Sequence, residues 1–381
     1  MSSRSITRRL FLSSVATGMV GYPSFKQVKA TELLSVVARS PFIASGVAVS
    51  HESEIFLGLP RFPGMEKTFS LARVNSRGEP IPFPGGSWNT WQKGQNSARA
   101  FVMVNAIHLF HDNTLWVMDQ GAPIGSQPEP GAQKLVQLDV KTGRIIRVLS
   151  FPKAIMPSGA RFNDLRIHGD LIFVTDSGLG GVIIHNLSTG KTLRRLSGQK
   201  VMRNDGVHLH RGIGGRILAD GNGKRPDTAS DDIEVDASGT WFYFAVPAGP
   251  LKRIGVADLL NTALTDDQLA QKVEIVAEIP SIGGTCMDTH GNFYLADAEN
   301  SRITVLSPEG KRATLVQDNR LISPDALFID RNRKLYIPCP QLQKLAFLNS
   351  GRNEAHAPFL VLSMPLPESL NGIPLGKGVE G

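Results

Sequence analysis

Asparagine and aspartate recur at one place in a pattern that repeats six times along this 381-residue chain. The repeats open with Gly46-Val-Ala-Val-Ser, Ala106-Ile-His-Leu-Phe, Asp164-Leu-Arg-Ile-His, Asp232-Ile-Glu-Val-Asp, Gly284-Thr-Cys-Met-Asp and Ala326-Leu-Phe-Ile-Asp. Aligned on these openings, Ser45, Asn105, Asn163, Asp231, Gly283 and Asp325 share the position just before, and Asp164 and Asp232 add a second carboxylate at the next. If the repeats gather around an axis, those oxygens converge. Asn163, Asp231 and Asp325 would then suit a hard cation, Ca²⁺ or Mg²⁺, better than zinc or copper. An architectural reading competes with this, because Asp and Asn at strand starts often accept backbone N–H bonds.

Only a closed arrangement of the repeats would bring these positions together. Each opening strand is followed by a tight turn and a second strand rich in aromatic and branched residues, as in Trp241-Phe-Tyr-Phe and Phe293-Tyr-Leu-Ala, which is the pattern of a hairpin. A further strand pair follows in most units, as in Lys134-Leu-Val-Gln-Leu-Asp and its partner from Arg144. Four strands per unit and six units predict an all-β fold, a six-bladed β-propeller over residues 31–364. A blade cannot bury both faces alone, so the ring must close, with Leu33 to Ala38 completing the blade of residues 326–362. A short helix is expected within 257–272, and 365–381 reads as an irregular C-terminal tail.

The 38 Gly and 24 Pro beside 41% hydrophobic residues agree with many short strands and oppose long helical repeats. Residues 1–30 read as an address: Thr7-Arg8-Arg9-Leu10-Phe11-Leu12 is a twin-arginine pattern, a mild apolar run follows, and Val28-Lys29-Ala30 offers a cleavage site. The expected location is a bacterial periplasm or the exterior, with the twin-arginine translocase as a transient partner. The apolar run is too short and too polar for stable membrane insertion. Five cations and no acids fall within 1–30, so the net charge of +7 drops to +2 without them. That removes the electrostatic basis for a nucleic-acid partner.

Other motifs say less. Asp119, Asp176 and Asp297 recur at the ends of second strands, where holding a turn is the simplest role. His208 and His210 alternate in an extended segment without further ligand spacing, and Gly221-Asn-Gly-Lys-Arg-Pro lacks the phosphate-loop pattern and reads as a surface loop. No G-x-S-x-G or H-E-x-x-H occurs, so no catalytic residue is assigned. Cys286 and Cys339 either pair in an oxidising compartment or stay as buried thiols.

A resemblance sharpens the fold. Ser45-Gly-Val-Ala-Val with Leu59-Pro-Arg-Phe, Pro80-Ile-Pro-Phe-Pro before Trp88-Asn, Leu115-Trp-Val-Met-Asp-Gln-Gly121, Phe162-Asn-Asp-Leu-Arg-Ile with Thr175-Asp-Ser-Gly178, and Ser323-Pro-Asp-Ala-Leu resemble the Yellow and major royal jelly family. The likeness runs from about residue 33 to about residue 350 and is that of a bacterial, dopachrome-tautomerase-related member. That family is in turn similar to the gluconolactonase and senescence-marker propellers. The resemblance implies a small polar or aromatic ligand at the funnel mouth, of the kind met in dopachrome conversion or amine capture: Asp231, Asp232 and Asp325 would neutralise an amine, Asn105, Asn163 and Asp164 would orient it, and Phe101 and Phe162 would supply a stacking face. It also leaves open a Ca²⁺- or Mg²⁺-dependent lactone or ester hydrolase, from whose pattern the chain departs at Ser45 and Gly283, where carboxylates are expected. A third alternative is a protein-interaction propeller using loops such as 121–131.

Overall fold

The computed structural model describes residues 33–65, 67–123 and 127–380. The twin-arginine segment lies outside the described residues. Six antiparallel four-stranded sheets account for nearly all the regular structure. Their innermost strands are Gly46–Val49, Val104–Leu109, Phe162–His168, Asp232–Val235, Ile282–Met287 and Phe328–Ile329, the six repeat openings. Each contacts the next and the last contacts the first, so the sheets close into a six-bladed propeller. Closure is as the sequence predicts: Ser35–Ser40 pairs with Phe359–Pro365 and supplies the outer strand of the sixth blade.

What holds the blades together follows from the two-residue period of a strand. In the second blade Leu115 and Val117 face the first blade, packing with Phe56 and Leu71, while Trp116 and Met118 face the third, packing with Leu165 and Ile172. Each of the six blade interfaces carries its own apolar layer of this kind. The core is therefore a ring of layers, and it leaves the axis free for polar groups.

Helix is scarce. Two short helices, α1 (Val256–Leu260) and α2 (Asp266–Ala270), stand where one was expected, and Thr265 and Gln268 form a capping box that starts α2. Among the described residues no helix is long and apolar enough to cross a membrane. Cys286 and Cys339 are both buried free thiols.

The tail is more ordered than its composition suggests. Leu366, Ile373 and Leu375 are buried, and Ser369–Leu370 pairs with Ile373–Pro374. Gly376 N–H donates to Asp288 Oδ2 at 2.7 Å, and a bridge joins Asp288 to Gly378. Gly378 and Val379 thereby cover the lower end of the axis, next to His108, Arg166 and Cys286.

Candidate functional site: an acidic funnel

The upper end of the axis opens into a cavity of about 620 Å³. Ser45, Asn105, Asn163, Asp231, Gly283 and Asp325 all line it, with Asp164 and Asp232 beside them. Local backbone geometry turns several of these residues inward. The ladder between the first two strands slips between Val104 and Ala106, between Phe162 and Leu165, and between Ile282 and Thr285. Bulges of this kind re-aim side chains at the ends of strands. Here they fall on Asn105, on Asn163 and Asp164, and on Gly283 and Gly284.

The recurring second-strand aspartates brace this rim. Asp119 accepts the backbone N–H groups of Val102 and Met103 at 2.9 and 2.8 Å, fixing the chain just ahead of Asn105, and the buried Lys134 neutralises it at 2.6 Å. Asp176 holds the N–H of Arg161 at 2.7 Å, two residues ahead of Asn163, and pairs with Arg194 at 2.6 Å. Arg61, from the Leu59-Pro-Arg-Phe motif, reaches the carbonyls of Phe101 and Val102 at 2.9 and 2.8 Å. Around the rim the Asn105 amide donates to the Asn163 carbonyl at 2.9 Å, and Thr175 donates to the Asp231 carbonyl at 2.9 Å.

The floor is strongly acidic. Loss of water first, and the neighbouring Asp164 charge second, push the Asp231 carboxyl up to about 7. Asp232 and Asp325 are raised as well, by burial and then by Asp231 and the other acids. The cation bonded to Asp164 is already occupied. Arg166 makes a two-pronged contact with Glu234 at 3.0 and 2.8 Å and a third bond to Asp164 at 3.0 Å. Burial works against its charge, but Asp164 and Glu234 outweigh that and raise its pKa. Asp232 Oδ2 and Ser45 Oγ are buried without any hydrogen-bond partner. Unmatched buried oxygens of this kind are uncommon in folded proteins and need an explanation.

Two residues expected in the site are elsewhere. Phe101 and Phe162 are fully buried between blades, against Trp88 and Phe151 with ring centroids 5.0 and 5.5 Å apart. Both precede the bulges that turn the chain inward, so their side chains fall on the inter-blade face. The aromatic wall comes instead from Phe62 and Phe347, stacked at 6.0 Å and both lining the cavity. Gly283 has its own reason: a Cβ there would lie 2.2 Å from the Pro324 carbonyl, so glycine lets the sixth blade close against the fifth.

Sequence reasoning also missed the segment that crosses the mouth. Between the third and fourth blades, residues 203–228 bond to the loops of the fifth and sixth, through Arg211 N–H to Ser281 Oγ at 2.8 Å and Arg216 to the Gln343 carbonyl at 2.8 Å. His210, Arg211, Lys224 and Arg225 line the cavity from this segment, so the Gly221–Pro226 stretch overlooks the funnel. Burial holds His210 neutral by lowering its pKa to about 4. His208 points elsewhere, to Asp205 and Glu278 at 2.6 and 2.9 Å. The signal was spacing: 68 residues separate Asp164 from Asp232, the longest interval between openings.

The carboxylate and amide oxygens at the floor are donors of the type that a hard cation or an ammonium group uses. Asn163, Asp231 and Asp325 would bring one amide and two carboxylates to a metal. Among the described residues no three Asp, Glu, His or Cys side chains are grouped so as to hold one.

The major royal jelly protein family profile matches residues 104–366, well over half of the chain. This chain belongs to that family. No curated protein matches it in sequence. Solved propellers share its fold at low identity. A gluconolactonase from Xanthomonas campestris is 12% identical with a TM-score of 0.53, covering 88% of this chain and 89% of its own. A calcium-binding protein, regucalcin, from Agrobacterium tumefaciens strain C58 is 15% identical with a TM-score of 0.52, covering 90% and 94%. A luciferin-regenerating enzyme is 10% identical with a TM-score of 0.54, covering 91% and 98%. These similarities establish a common architecture and leave the chemistry to the residues of the funnel.

Proposed function

We propose that this royal-jelly-type propeller binds a small polar molecule through a cationic group seated against Asp231, Asp232 and Asp325. The observation that carries the reading is a floor of carboxylates, Asp232 buried with its Oδ2 unpartnered and Asp231 and Asp325 half-buried, while Arg166 beneath them is tied to Glu234 and Asp164. A bound ammonium would offset the mutual repulsion that raises these pKa values and would return the unpaired oxygen to a hydrogen bond. Phe62 and Phe347 favour an aromatic body on the amine. Calorimetric titration with benzylamine tests this: saturable binding that is lost in Asp325→Asn supports it, and absence of heat in the wild-type protein overturns it.

A divalent cation is the second reading, favoured by the all-oxygen character of Asn163, Asp231 and Asp325 and by the calcium binding named for the regucalcin neighbour. Calcium titration separates the two. Tight calcium binding that displaces benzylamine, together with turnover of a simple lactone, would move the function toward the gluconolactonase type. Export through the twin-arginine route is part of the same proposal, and cell fractionation of the full chain tests it.

A further inference from the structure

The funnel carries opposite charge at its two ends. Below are Asp231, Asp232 and Asp325; above stand cations that no acid neutralises. Arg161 is half-buried in the cavity wall, and its guanidinium has no hydrogen-bond or ion-pair partner among the described residues. It precedes Asn163 by two residues, just ahead of the strand Phe162–His168. Arg211, also half-buried, reaches only a carbonyl, that of Gly215 at 2.9 Å. Lys224 and Arg225 are exposed at the rim, with no side-chain partner among the described residues. The two nearby acids are committed elsewhere: Asp220 accepts the N–H groups of Asn222 and Lys224 at 2.8 and 2.9 Å, and Asp227 pairs with Arg203 at 3.0 Å.

Resting on the amine reading above, we infer that the ligand is a zwitterion, with its amine against the acidic floor and an anionic group, carboxylate or phosphate, held at the mouth by Arg161 and Arg211. The unpartnered buried Asp232 Oδ2 and Ser45 Oγ mark the amine end. The free guanidinium of Arg161 marks the other, and its planar donor fork matches either anion. A ligand with one charge would leave one end of the cavity uncompensated. The segment 203–228 thus serves as the part of the propeller that selects for the anionic end.

Benzylamine, 4-(aminomethyl)benzoate, its phosphonate counterpart and benzoate form the test set, titrated calorimetrically into wild-type protein and the double variant Arg161→Ala/Arg211→Ala. Charge-assisted hydrogen bonds to the anion should make at least one bifunctional probe bind about tenfold or more tightly than benzylamine. The double variant should erase that advantage, read as the ratio of bifunctional-probe to benzylamine affinity within the same protein. Whichever anion gains the advantage names the chemical class. Equal affinity of benzylamine and both bifunctional probes, or an advantage that survives in a variant with native melting behaviour, overturns the zwitterion. Failure of all amines, benzylamine included, instead overturns the reading on which it rests.

Discussion

Asp231→Asn should stabilise the protein at neutral and alkaline pH and leave it nearly unchanged in acid. The Asp231 carboxyl titrates near 7 in the folded chain, raised by burial and then by Asp164, against 3.8 for an ordinary aspartate. Below 3.8 both the folded and the unfolded chain hold the proton, so the group is neutral to stability. Between 3.8 and 7 the unfolded chain has lost the proton and the folded chain keeps it, so stability falls as pH rises and the loss is complete above 7. A shift of about 3 units at about 1.4 kcal/mol each sets a ceiling of about 4 kcal/mol. Asp231 is only partly buried and lines the cavity, so about half of that, about 2 kcal/mol, is the working figure. Asparagine is nearly isosteric with the protonated acid and carries no charge, and the backbone bonds of Asp231 to Ala245 and Thr175 are untouched. At about 2 °C per kcal/mol for a long chain, the variant should melt about 4 °C above wild type at pH 8 and together with it near pH 4. Circular-dichroism melting from pH 4 to 8.5 reads the difference directly. A difference that is flat with pH, or a variant that melts lower at pH 8, would refute the claim that repulsion and burial at the floor oppose folding.

Lys134→Met should cost about 3 kcal/mol, because it strips from the buried Asp119 its only ion-pair partner among the described residues; urea unfolding measures it, with wild-type stability as the contrary result. Gly283→Ala should cost about 2 kcal/mol or more and weaken amine binding, since its Cβ would displace Pro324 and with it Asp325; melting and calorimetry check the two effects. Cys286 and Cys339 should be silent to a thiol reagent in the folded protein and both react in denaturant, because they are buried and unpaired and burial pushes both thiols up. No reactive thiol after unfolding without reductant would show that they pair.

The propeller was legible because its cause is local. A strand that alternates sides and a turn of Gly, Asp or Asn every few residues leave a mark in each repeat, and six marks in register imply a ring. The rim position was legible for the same reason: Ser45, Asn105, Asn163, Asp231, Gly283 and Asp325 stand at one offset from six similar strands, and all six line the cavity. Phe101 and Phe162 were misplaced because sequence nearness to the rim does not give direction, and the bulges at Asn105 and Asn163 decide which side of the sheet each residue faces. The vacancy at Gly283 looked like a lost carboxylate, whereas the approach of the Pro324 carbonyl leaves no space for any side chain.

By itself the chain order determined the number of blades, the closing strand and the set of oxygens that meet at the axis, since short-range periodicity and turn chemistry fix those. Only the tertiary structure decided that Arg166 is consumed by Glu234 and Asp164, that Phe62 and Phe347 form the aromatic wall, and that residues 203–228 carry cations across the mouth. Each of these joins residues from different blades, and such contacts depend on how the closed ring sets its blades beside one another, which no local pattern records.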